Sequence, residues 1–100
     1  MRQFFCSCVG AVVLCLTLMP AQAGSSQAGQ VVYDENCAIC HGEGLRNPGS
    51  SFDLVLLKPN EHGRFVSSVQ SGKGQMPPWK GILSDSEIDD VWAYIRANAD

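Results

Sequence analysis

Cys37-Ala38-Ile39-Cys40-His41 is the stretch on which the reading of this chain turns. Two cysteines three residues apart, followed at once by a histidine, form the C-x-x-C-H pattern of c-type haem attachment. The spacing has a physical basis, because residues three apart on a helix share a face. Sulfurs at Cys37 and Cys40 can therefore reach two vinyl groups on adjacent pyrroles of one porphyrin, while the His41 imidazole projects toward the iron. Three other readings compete. A thioredoxin-like dithiol requires a βαβ context, and no strand pattern precedes Cys37. A zinc site from Cys37, Cys40, His41 and His62 would ask the adjacent Cys40 and His41 to share one tetrahedral ion. A Cys37–Cys40 disulfide would close too small a loop to stabilise much.

The residues ahead of this segment change the cysteine count. Met1-Arg2 gives a positive start, residues 4–18 are apolar apart from Ser7 and Thr17, and Ala21-Gln22-Ala23 has the small-x-small form of a cleavage site. The apolar run is 15 residues long, short of the ~20 needed to span a bilayer. The expected organisation is a removed export signal over residues 1–23 and one domain over residues 24–100, without a membrane span in the mature form. Cys6, Cys8 and Cys15 leave with the signal, so Cys37 and Cys40 are the remaining pair. Loss of Arg2 leaves six basic against ten acidic side chains, a balance that argues against a nucleic-acid partner. A mature chain of 77 residues supports only a marginal apolar core, so a buried planar cofactor would help to hold it together.

The second iron ligand follows by elimination. Met1 and Met19 belong to the signal, leaving Met76, which lies 35 residues beyond His41 between glycine-rich and proline-rich segments. That position suits a ligand held by a stiff loop better than a core filler. His62, on a polar stretch, is expected to face water. A His41/Met76 pair leaves no open coordination position, and the neutral thioether raises the reduction potential.

The chain is expected to be all-α, about three to four helices around one covalent haem. Tyr33, Cys37 and Cys40 share a helical face with Gly29, predicting a helix over residues 27–40. Gly42, Gly44, Asn47, Pro48 and Gly49 open a loop, and residues 52–57 are too short a run to assign. Asn60 is the expected cap of a second helix that buries Phe65, Val66 and Val69 and stops at Gly72. Ser84 and Glu87 form a capping box, with Leu83 and Ile88 as its apolar staple, opening a last helix with a stripe of Ile88, Val91, Trp92 and Ile95.

These residues together resemble the class I cytochromes c, in particular their compact bacterial members. The likeness covers residues 27–97, and the Gly-x-Met-Pro-Pro-Trp stretch, Gly74 to Trp79, is similar to the family's sixth-ligand loop. The resemblance implies that the first and last helices cross at Gly29, with Tyr33, Tyr94 and Trp92 nearby. It implies a proline whose carbonyl accepts from the proximal imidazole, for which Pro48 is the candidate. Trp79 is a candidate for the haem pocket, packing on the haem edge or reaching a propionate with its indole N–H, with ordinary core burial as the alternative. The implied activity is non-enzymatic: a monomeric periplasmic carrier passes single electrons from a dehydrogenase toward an oxidase. The Met-Pro-Pro-Trp loop points to a quinoprotein alcohol dehydrogenase as donor, and Lys73 and Lys80 give its mouth a positive rim. The rival readings are a haem subunit of a quinoprotein dehydrogenase or respiratory complex, and a haem sensor with a labile sixth ligand.

Overall fold

Four α-helices and no strands make up the described residues, 24–99, of the computed structural model: α1 (Ser26–Asn36), α2 (Ala38–His41), α3 (His62–Ser71) and α4 (Asp85–Asn98). The expected signal over residues 1–23 lies outside them. Ser25 caps α1 by accepting from the Ala28 nitrogen at 3.2 Å. The single helix expected over residues 27–40 is instead two. Cys37, at φ −107°, turns the chain between α1 and α2, and α2 then carries Cys40 and His41 to its end at Gly42.

The central feature is the crossing of α1 and α4. A Cβ on Gly29 would stand 1.8 Å from the Asp90 carbonyl oxygen and 2.9 Å from the Val91 nitrogen, so only a glycine allows the two backbones to meet this closely. Tyr33 and Tyr94 pack across the crossing at a ring-centroid distance of 5.3 Å, both buried. The Tyr33 hydroxyl donates to the Gly42 carbonyl at 2.6 Å and so ties the end of α2 to α1. Gly42 has no room for a side chain either, because its Cβ would stand 1.8 Å from the Arg46 carbonyl oxygen. The tight turn forces the buried Leu45 to φ +65°, a left-handed conformation costing about 1–2 kcal/mol that its burial in the core offsets.

α4 starts as its sequence requires. Ser84 accepts from the Glu87 nitrogen at 3.0 Å and Glu87 accepts from the Ser84 nitrogen at 2.8 Å. Leu83 and Ile88 are both buried beside this box. Trp92 departs from the expected stripe. It is half-buried on the side facing α3, against Phe65 at 5.2 Å and His62 at 5.4 Å, while Tyr94 fills the side facing α1. The start of α3 also differs from expectation. A 3₁₀ turn over Pro59–Glu61 precedes it, and the Glu61 carboxylate, not the Asn60 side chain, accepts from the Lys58 nitrogen at 2.8 Å. The fixed φ of Pro59 favours that tighter opening. Gly72, at φ +80°, closes α3 as expected.

Gly29→Ala should lower the unfolding free energy by about 3 kcal/mol, the upper range for overpacking, in guanidinium titration of the haem-loaded protein. A loss under about 1 kcal/mol would show that the crossing can open without cost.

Candidate haem site

α1, α2, α3, α4 and the loops between them enclose a cavity of about 570 Å³. Interiors hold few voids larger than a water, and ligand sites run from about 300 to 1,000 Å³, so this space is a binding site and not a packing fault. Cys37, Cys40, His41, Met76 and Trp79 all line it. So do six buried core residues, Leu57, Phe65, Val69, Leu83, Ile88 and Val91, which makes the lining apolar. Pro48 is not among the lining residues.

His41 is held by a carbonyl that the sequence did not point to. Its Nδ1 lies 3.2 Å from the Phe52 carbonyl oxygen. A carbonyl only accepts, so this contact places the proton on Nδ1 and leaves the Nε2 lone pair free for a metal. Pro48, the candidate from the family resemblance, gives way to Phe52 because the chain runs on past it and is stitched back onto α2. Asn47 Nδ2 donates to the Ser51 carbonyl at 2.8 Å, and the Ser51 hydroxyl donates to the Cys40 carbonyl at 2.8 Å. A backbone carbonyl 11 residues downstream carries no residue-type signal, which is why pattern reading missed it.

Met76 arrives on a different support. Lys73 and Met76 exchange backbone hydrogen bonds at 3.0 and 3.1 Å, forming a closed turn directly after α3. The chain then lies back along α3, with the Trp79 nitrogen donating to Val69 at 2.8 Å and the Lys80 nitrogen to Gln70 at 3.2 Å. Gly72 makes this possible. A Cβ there would stand 2.7 Å from the Met76 carbonyl oxygen. Arg64 was also missed by pattern reading. It lines the cavity, stacks 5.1 Å from the Phe52 ring centroid and bonds Glu61 at 2.9 Å.

The electrostatics separate the competing readings. Burial pushes the Cys37 thiol up to about 11, with Cys40 beside it raising it further. A reactive thiol needs a depressed value, so Cys37 is poorly suited to disulfide exchange. The zinc reading fails on geometry. No three His, Cys, Asp or Glu side chains converge as metal ligands among the described residues. His62 lies away from the cavity, exposed, with its Nε2 2.9 Å from Asp89 Oδ1. An apolar slot with two thiols, one imidazole freed at Nε2 and one thioether does fit a covalently bound porphyrin.

Comparison with known proteins agrees. A family profile described as "Cytochrome C oxidase, cbb3-type, subunit III" matches residues 24–95. The chain is 34% identical to cytochrome c6 of Synechocystis sp., over 80% of this chain and 71% of that protein. The chain belongs to the class I c-type cytochromes. This cytochrome is also 30% identical to the cbb3-type cytochrome c oxidase subunit FixPc of Rhizobium leguminosarum bv. viciae, over 89% of this chain but only 33% of that subunit. In three dimensions it is similar to cytochrome c6 of the diatom Phaeodactylum tricornutum, with a TM-score of 0.61 and 33% identity, covering 75% of this chain and 94% of that one. It is a c-type cytochrome that carries electrons, with one covalently bound haem c.

Burial pushes the Tyr33 hydroxyl up to about 12. The unfolded chain releases this proton near about 10, so native stability is lost as pH climbs from there toward the folded value. Tyr33→Phe should cost about 1 kcal/mol at pH 7, and the gap to the parent should close between pH 10 and about 12. Guanidinium unfolding of both haem-loaded proteins across that window tests this, and a constant gap would refute it.

Proposed function

We propose that this cytochrome is an exported, monomeric one-electron shuttle whose iron is ligated by His41 and Met76, passing electrons from a dehydrogenase toward an oxidase in the periplasm. One observation carries the reading: two segments 35 residues apart deliver an imidazole and the thioether of Met76 to the same cavity as Cys37 and Cys40. The bound haem supplies one-electron exchange at its iron. The protein's part is to hold the ligands still. The Phe52 carbonyl fixes the ring orientation of His41 and raises its basicity as a donor. The Lys73–Met76 turn and its seat against Gly72 fix the thioether backbone. If His41 and Met76 both held the iron, no position would be open to oxygen or peroxide, which favours a carrier over a sensor or a peroxidase.

Export is supported by the leader pattern over residues 1–23, and among the described residues no helix is long and apolar enough to cross a membrane. Lys73 and Lys80 are exposed beside the ligand loop on an otherwise acidic chain. They are suited to steering a short encounter with an acidic partner face. The resemblance of the Met-Pro-Pro-Trp loop supports a quinoprotein alcohol dehydrogenase as the donor. The profile description and the FixPc relative favour a second reading, a haem subunit of a respiratory complex. Such a subunit copurifies with its complex, whereas a shuttle runs alone on size exclusion.

Matured with c-type haem machinery, the parent should show a low-spin spectrum with the weak thioether–Fe(III) band. Met76→Ala should lose that band, gain carbon monoxide binding and show a lower reduction potential. An unchanged spectrum would overturn the ligand assignment.

A further inference from the structure

Asp90 is the one buried charged side chain among the described residues, and it sits where α4 crosses α1. Its Oδ1 accepts from two backbone nitrogens at the start of α1, Gly24 at 2.8 Å and Ser25 at 2.9 Å. The ion pairs among the described residues are His62–Asp89 and Arg64–Glu61, and neither reaches it. Buried carboxylates ordinarily have a cationic partner. This one has two amides and the positive end of a helix.

We propose that Asp90 is the receptor for the α-ammonium group of Gly24, so that removal of the leader completes the helix crossing. The inference rests on the reading of residues 1–23 as a leader cut after Ala23. Hydrolysis of the Ala23–Gly24 amide by a leader-cleaving peptidase consumes one water. The acyl carbon leaves as the Ala23 carboxylate, and the nitrogen becomes the Gly24 amine. That amine takes up a proton at neutral pH, because an α-amino group titrates near about 7.7–8.0. The atom already 2.8 Å from Asp90 Oδ1 then carries a full positive charge, and an amide–carboxylate hydrogen bond becomes an ammonium–carboxylate ion pair.

The surroundings suit a cation. Gly24 borders a shallow depression with Asp89, His62 and Trp92, so a second carboxylate lies nearby, itself paired with His62. A bare ammonium just ahead of α1 would oppose the helix dipole, and the Asp90 carboxylate, bonded to both the Gly24 and Ser25 nitrogens, offsets that repulsion. The arrangement therefore makes a sharp demand. A free terminus at Gly24 stabilises the fold when residue 90 is a carboxylate and ceases to do so when it is an amide.

The test uses the exported, haem-loaded protein beside a version with Ser-Gly inserted after Ala23. Cleavage of the latter leaves an amide at Gly24 and moves the ammonium two residues away. Intact mass establishes where each product begins, and guanidinium unfolding is followed at the haem absorption. The insertion should raise the unfolding equilibrium constant about five- to tenfold, and Asp90→Asn should abolish that dependence. Equal stability of the two products, or the same difference in the Asp90→Asn background, overturns the proposal. A product that begins elsewhere than Gly24 overturns the leader reading and the proposal with it. A product that begins there yet shows no difference overturns the proposal alone.

Discussion

The whole arrangement depends on how closely two helices can approach. At Gly29 the backbone of α1 sits against the backbone of α4, and an added methyl would fall 1.8 Å from the Asp90 carbonyl oxygen. That contact sets the angle at which α1 delivers Cys37 to the cavity and at which α4 delivers Ile88 and Val91 to its far wall. It also brings Tyr33 against Tyr94 and lets the Tyr33 hydroxyl reach Gly42. One missing side chain thus fixes the crossing, the aromatic pair and the end of the helix that bears the thiols.

The core and the cofactor site are the same object. Ten apolar side chains are buried among the described residues, and six of them also line the cavity. A chain this short buries too little surface for a comfortable margin on its own. The cavity therefore cannot be treated as a hollow beside the core. Filling it supplies contacts that the apolar side chains around it would otherwise lack, and thioether attachment makes that filling permanent. The small size of the protein and the covalent bond to its cofactor answer the same thermodynamic problem.

Most of the fold was legible because it is local. The capping box at Ser84 and Glu87, the stop at Gly72 and the cysteine spacing each follow from side chains within four residues of one another. What sequence reading missed is either non-local or written in backbone atoms. The Phe52 carbonyl that holds His41 has no residue-type signature, so the resemblance pointed to Pro48 instead. Arg64 reaches the cavity from α3, a placement that follows from helix packing and not from its own neighbours. Trp92 left the expected stripe for the side facing α3 because periodicity marks an apolar stripe without saying which neighbouring helix each edge faces. The break at Cys37 within an apparently continuous helical pattern is of the same kind: the face continues although the axis turns.

The supports of the two candidate ligands differ in a way that bears on function. His41 is carried by α2 and steadied by a carbonyl from a loop that is itself hydrogen-bonded to Cys40 through Ser51. It is thus bound into the helix framework by short links. Met76 rides on a four-residue turn whose anchors are backbone bonds to the last turn of α3. Loosening α3 near Val69 and Gln70 would release the thioether side, whereas the imidazole side would hold as long as α1 and α4 remain crossed. On the proposed His41/Met76 ligation, loss of a ligand should therefore begin at the sulfur, with the rest of the fold still in place, because the Met76 turn has the weaker scaffold.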